Sequence, residues 1–261
     1  MNANPPSSSS PLAGSRTQPL HSPLFAARDL FETRYLGADS LLLAGSVIRG
    51  EASSYSDLDV IVLFPHVRAA YRESFTHKGW PVEAFIHDME TLRYFLYRVD
   101  QPQASATLCE MIREGHEIPG VTAMTADAKA LAGDVLKAGP PKLTIDEIDD
   151  RRYHISELID DLREPRSRHE LIAAASRVYG ELADFYCRSH GHWTGSGKGL
   201  LKRMKSIDTG LARRFSEAFD QLFQHGQPGP VIRLTEEMLA PFGGFLFDAY
   251  RREAPSNWRG K

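Results

Sequence analysis

Cysteine is nearly absent: the 261 residues contain two, Cys109 and Cys187. That excludes a disulfide framework and any Cys-rich zinc pattern, and it suits a reducing compartment with both thiols in the core. Long apolar runs are also missing. Nothing approaches the roughly 20 consecutive apolar residues that a bilayer-spanning helix needs. The N-terminus has Ser and Pro where a secretory signal would have a basic start and an apolar centre. A soluble, cytoplasmic protein without a membrane partner is expected. An excess of positive charge is lacking too, since the net charge is −3. Up to residue 140 there are 12 Lys and Arg against 16 Asp and Glu, and thereafter 19 against 18, so neither part is a basic nucleic-acid module. What is present is ordinary globular composition, 42% hydrophobic and 25% charged, enough for one large domain or two modest ones.

Residues 1–24, "MNANPPSSSSPLAGSRTQPLHSPL", are rich in Ser and Pro and poor in large apolar side chains. Such a segment buries too little to offset chain entropy and reads as a disordered tail. From Phe25, the residues Phe25, Leu30, Phe31 and Tyr35 share a helical face, with Gly37 as a stop. The short apolar runs 40–44 "SLLLA" and 58–63 "LDVIVL", bounded by turn formers, read as covered strands. In 65–79, "PHVRAAYRESFTHKG", the spacing of Val67, Ala70, Tyr71 and Phe75 predicts a helix ending at Gly79. "PVEAFIH", 81–87, alternates as a strand. Asp88 then caps an amphipathic helix, with Thr91 rather than Glu at the third position. After "AGPPKLT", 138–144, strand signals fade. Ile155, Leu158, Ile159 and Leu162, and later Leu211, Phe215, Ala218, Phe219 and Leu222, follow helical spacing. The fold class expected is α+β: a small mixed-sheet domain over 25–140, then an all-helical domain over 141–261, with the Pro-Pro pair at the junction.

The chemistry concentrates in "LLLAGSVIRGEASSYSDLDVIVLF", 41–64. On a strand, residues i and i+2 share a face and lie roughly 6.6 Å apart, so Asp57 and Asp59 point one way while Leu58, Val60 and Val62 point the other. Two such carboxylates repel and raise each other's pKa unless a cation joins them. In "PVEAFIH", Glu83 lies opposite Val82, Ala84 and Ile86 and is the one acid of its strand. If that strand lies beside 58–63, three hard oxygen donors meet, a set suited to Mg²⁺ or Mn²⁺ rather than zinc. Taken singly, each acid is explained by a turn cap, an arginine partner or a wet edge; the three together with Gly45-Ser46 are not. A glycine directly after a buried strand lets backbone N–H groups approach an anion, and a serine adds a hydroxyl donor.

"AGS" at 44–46, "SDLDV" at 56–60 and "VEAF" at 82–85 together resemble the nucleotidyltransferase (DNA polymerase beta-like) superfamily, over about residues 25–120. The sequence is similar to bacterial antibiotic nucleotidyltransferases in placing a helical domain after the catalytic one. The resemblance implies that Asp57 and Asp59 hold divalent cations, Mg²⁺ or Mn²⁺. It implies that Gly45, Ser46 and Ser56 hold the triphosphate of a nucleoside triphosphate, with ATP expected. Glu83 would complete the metal site or take the proton of the attacking hydroxyl. Two cations about 3.5–4 Å apart suit an in-line displacement that leaves a nucleoside monophosphate on the acceptor and releases pyrophosphate.

"HWTGSGKGLLKRMK", 192–205, is not a Walker A loop, because Gly199 follows Lys198 where Ser or Thr is needed. A Gly-rich turn opening a helix can still present N–H groups and Lys198 to phosphate, with Arg203 a weaker candidate. A solvated basic helix start with Trp193 packed inward explains the stretch equally well. His190 and His192 lack further ligands and read as turn histidines. Arg163 and His169 have the spacing of the HEPN ribonuclease motif, but Pro165 interrupts the helix. The expected acceptor is a hydroxyl on a small polar molecule of aminoglycoside type, with Glu110, Glu114, Asp146, Glu147, Asp149 and Asp150 as candidates to attract its positive charge. An RNA end or a protein side chain is the alternative acceptor, and a non-catalytic nucleotide sensor is a third reading. Oligomeric state is not legible.

Overall fold

A computed structural model describes residues 21–254. The expected tail lies outside the described residues up to residue 20. Helix α1, Pro23–Thr33, starts two residues earlier than its apolar spacing suggests, because Ser22 caps it and Pro23 fits the first turn. The Phe25 amide donates to Ser22 Oγ at 3.3 Å. Strands β1, Ser40–Ala44, and β2, Leu58–Leu63, fall on the two apolar runs. They are followed by β3, Tyr71–His77, β4, Trp80–His87, and, after two helices, the short β5, His116–Ile118.

The five strands lie in the order β3-β4-β2-β1-β5. β2 and β4 run parallel and the other pairs antiparallel, which makes the sheet mixed. One face carries Leu41, Leu43, Leu58, Val60, Val62, Val82, Ala84 and Ile86, packed against Ala26, Ala27 and Leu30 of α1. Each fully buried Val, Leu or Ile there contributes roughly 1.5–3 kcal/mol, enough to fix which side of every strand faces inward. A slip of one residue would bury the acids instead.

The helix expected over 65–79 does not form. Residues 71–77 are the edge strand β3, joined to β4 by a two-residue turn at Lys78 (φ 50°) and Gly79 (φ 83°). Positive φ at both central positions makes a tight turn whose twist matches the two strands it joins. Glu73, Phe75 and His77 are half-buried while Arg72, Ser74 and Thr76 are exposed, a two-residue alternation that outweighs the accidental helical spacing. Glu73 is fixed from the other side by Arg34 at 2.7 Å and the Tyr35 hydroxyl at 2.8 Å. The Arg34 guanidinium lowers the Glu73 pKa, and it lies 4.1 Å from the centroid of the Phe75 ring.

Asp88 caps α2, Met89–Tyr94, as expected. Its Oδ1 accepts from the Thr91 amide at 2.8 Å, and Thr91 Oγ1 accepts from the Asp88 amide at 3.0 Å, a reciprocal pair with Thr in the usual Glu role. The chain continues as a π-helical stretch, Phe95–Asp100, then α3, Thr107–Glu114, and α4, Ala123–Ala138.

The chain divides into two compact units. One comprises the described residues up to Arg93 with Glu110–Ala132, and the other Tyr94–Cys109 with the described residues from Gly133 on. The second unit carries α5, Ile145–Arg163, α6, Arg168–Ser189, α7, Gly199–Ile207, α8, Thr209–His225, and α9, Gly229–Leu239. Their core includes Ile155, Leu158, Ile159, Leu162, Leu211, Phe215, Phe219 and Leu222, the positions marked by helical spacing. The sheet followed by helices is the α+β architecture expected. Among the described residues no helix is long and apolar enough to cross a membrane.

Candidate active site

β1 delivers its chain end to the start of β2. In the antiparallel register Ala44 faces Asp59; in the parallel register Asp59 faces Glu83, and Glu83 faces Ser74 of β3. Paired residues project to the same side, so Asp59 and Glu83 stand side by side on the face opposite α1. Asp57 precedes β2 by one residue and is half-buried, as is Asp59.

Gly45 is the tightest point of this corner. It is buried, has φ +78°, and a Cβ added there would collide with Asp59 Oδ2 and lie 2.9 Å from Asp59 Cγ. Glycine is required twice over, by its backbone conformation and by the carboxylate against it. After Gly45 the chain coils: the Arg49 amide donates to the Gly45 carbonyl at 3.4 Å and the Glu51 amide to that of Ser46 at 2.9 Å. Ser46 and Ser56, ten residues apart in sequence, meet with Oγ atoms 3.1 Å apart, and Ser56 Oγ also accepts from the Ser53 amide at 2.9 Å. Arg49 ties the loop down by bonding Glu51 at 3.0 Å and Glu114 at 3.2 Å.

Of the residues predicted for the anion and for the cation, Gly45 abuts Asp59, and Ser46, next in the chain, meets Ser56. The third carboxylate is engaged elsewhere. Glu83 Oε1 accepts a hydrogen bond from Nη2 of Arg72, whose guanidinium also lies 5.3 Å from the centroid of the Phe85 ring. Among the described residues no three His, Cys, Asp or Glu side chains converge as a metal-binding group. The donor chemistry itself fits a hard divalent cation, because every candidate ligand at this corner is a carboxylate and two of them are adjacent by register. Arg72 is the residue that sequence reasoning missed. Assigning 65–79 to a helix hid its place on the same sheet face as Glu83.

Lys198 belongs to the second unit, exposed at the N-cap of α7, after Gly197 at φ +48°. The Gly-rich turn is anchored by the His192 amide donating to the Cys187 carbonyl at 2.8 Å and the Thr194 amide to the Ala104 carbonyl at 3.0 Å. Trp193 Nε1 donates to the Leu136 carbonyl at 3.4 Å. His190 caps its own helix through the Tyr186 carbonyl at 2.8 Å and packs on Tyr186 and Phe242. Helix α5 stops at Arg163, which pairs with Asp160 at 2.6 Å, before the Glu164-Pro165 break. Of the acids considered for a cationic acceptor, Glu114 pairs with Arg49, Asp149 with Arg152, and Asp146 and Asp150 with Arg252. Glu147 closes a capping box with Thr144.

Comparison with known proteins places this corner in context. The nucleotidyltransferase domain family matches residues 27–106. Among solved structures, a nucleotidyltransferase-like protein from Exiguobacterium sibiricum 255-15 is similar at 13% identity and a TM-score of 0.41, over 84% of this chain and 73% of that one. No curated protein matches the chain in sequence. The family match runs from within α1 past β4 and takes in the Gly45 turn and all three carboxylates. Residues 27–106 therefore constitute a nucleotidyltransferase domain, which makes the chain a transferase.

Proposed function

We propose that this enzyme transfers a nucleoside monophosphate, AMP from ATP, to a hydroxyl of a small polar acceptor with release of pyrophosphate. The observation that carries the reading is the abutment of the Gly45-Ser46 turn on Asp59. In this reading the turn that would hold the triphosphate and the carboxylates that would hold its counter-ions belong to one corner of the sheet. Asp57, Asp59 and Glu83 would hold Mg²⁺ or Mn²⁺, which supplies electrostatic stabilisation of the attacking and departing oxygens. The chain's own residues do the rest. The backbone after Gly45 and the Ser46 hydroxyl, oriented by Ser56, bind phosphate oxygens. Glu83 accepts the proton as the acceptor oxygen bonds to the α-phosphorus and the bond to the β-phosphate bridge breaks.

A small acceptor is favoured over nucleic acid because neither part of the chain has the basic excess that phosphate-backbone binding relies on. The test is incubation with α-labelled ATP and Mg²⁺ alongside polyhydroxylated amines, cell RNA and cell protein in separate reactions. Label on a small molecule with one pyrophosphate per transfer is expected. Label on RNA or protein instead would move the acceptor to that class, and consumption of ATP without label transfer would refute nucleotidyl transfer.

A further inference from the structure

Arg72 lies on the edge strand two residues before Ser74, the register partner of Glu83, and so on the same face as both acids. Its guanidinium binds Glu83 and leans on Phe85, yet its side chain is 60% exposed, against 22% for Glu83. The edge position leaves it room to swing into solvent. Ion pairs of this exposure contribute little, so a doubly charged cation shared by several carboxylates outcompetes them readily. Resting on the carboxylate reading above, we propose that Arg72 is a built-in counter-cation for Glu83. It neutralises that acid beside Asp59 while no metal is present, and the incoming divalent ion displaces it. Arg72 is then a positioning residue that sets the affinity of the site for its metal.

Removing the guanidinium takes away both the competitor for Glu83 and a repelling charge near the ion, so metal binding tightens. An exposed pair of this kind corresponds to about two- to fivefold in affinity. The test is Mn²⁺ binding without nucleotide, read from the free-ion electron paramagnetic resonance signal at fixed ionic strength, on the full chain. Arg72→Met and Arg72→Lys are compared with the wild type, with circular dichroism confirming that each is folded. Arg72→Met binds Mn²⁺ two- to fivefold more tightly, and Arg72→Lys, which keeps the charge, stays closer to wild type. Unchanged or weaker binding in Arg72→Met, while the wild type binds Mn²⁺, overturns the counter-cation role and leaves the carboxylate site standing. No Mn²⁺ bound by any of the three overturns the carboxylate site and the proposal with it. A weakened KM for ATP with unaltered Mn²⁺ affinity would make Arg72 a phosphate contact and also overturns the proposal.

Discussion

Substituting Gly45 separates two effects that usually travel together. At φ +78° an alanine costs about 1–2 kcal/mol in backbone strain alone. For a chain of this size that is a fall of a few degrees in Tm. The added Cβ also meets Asp59, whose Oδ2 it would overlap and whose Cγ it would approach to 2.9 Å, so the carboxylate must move by roughly an ångström. Misplacement on that scale costs about 10²-fold in rate. Gly50 provides the control: its φ is +70° and a Cβ there meets nothing within 4 Å. Gly50→Ala carries comparable strain without the collision. Pyrophosphate release, normalised to the folded fraction, should fall about 10²-fold in Gly45→Ala and within a few-fold in Gly50→Ala, while both lose similar thermal stability. If Gly45→Ala is folded and transfers at the wild-type rate, the Gly45 turn does not position Asp59 for catalysis.

Two buried groups give opposite pH signatures. His87 is nearly inaccessible, and burial pushes its pKa from 6.5 down to about 4. The unfolded chain takes up a proton that the folded one refuses, so stability falls as pH drops from about 6.5 toward 4. Between pH 7 and pH 5 the loss is about 2 kcal/mol, and urea unfolding of His87→Gln should lack that component. Burial raises Asp100 to about 6. Its contribution is present below pH 3.8 and is lost as pH rises through 6; the full shift is worth about 3 kcal/mol, which solvent screening of this half-buried group reduces, so Asp100→Asn should raise the pH 7 urea midpoint by an amount worth about 2 kcal/mol. That gain should vanish by pH 4; a gain that persists there would remove burial of the charge as its cause.

The central strands were legible because full burial on one face writes an unbroken apolar run or a clean alternation, as in "SLLLA" and "PVEAFIH". The helices after residue 144 were legible for the same reason at a different period. β3 was not, because an edge strand needs little apolar surface and its half-buried side, Glu73, Phe75 and His77, mixes charge with one aromatic. The Lys78-Gly79 turn was the available signal, a two-residue link suited to positive φ directly ahead of an alternating strand. Asp57, Asp59 and Ser46 stood out as polar residues, and Gly45 as a residue without a side chain, in places where packing alone would choose otherwise. That Asp59 and Glu83 are neighbours depended on the order of strands, which no local pattern records. That Arg72 bonds Glu83 depended on β3 being a strand at all.

Metal-dependent nucleotide binding tests the account most directly. Titration calorimetry of ATP with and without Mg²⁺, on the wild type and on the Asp57→Asn, Asp59→Asn double variant, reads the claim that these carboxylates hold the cation beside the Gly45 turn. Mg²⁺ should strengthen ATP binding by the wild type, and the double variant should lose that enhancement while remaining folded. An enhancement that survives both substitutions unaltered would contradict the assignment of the site.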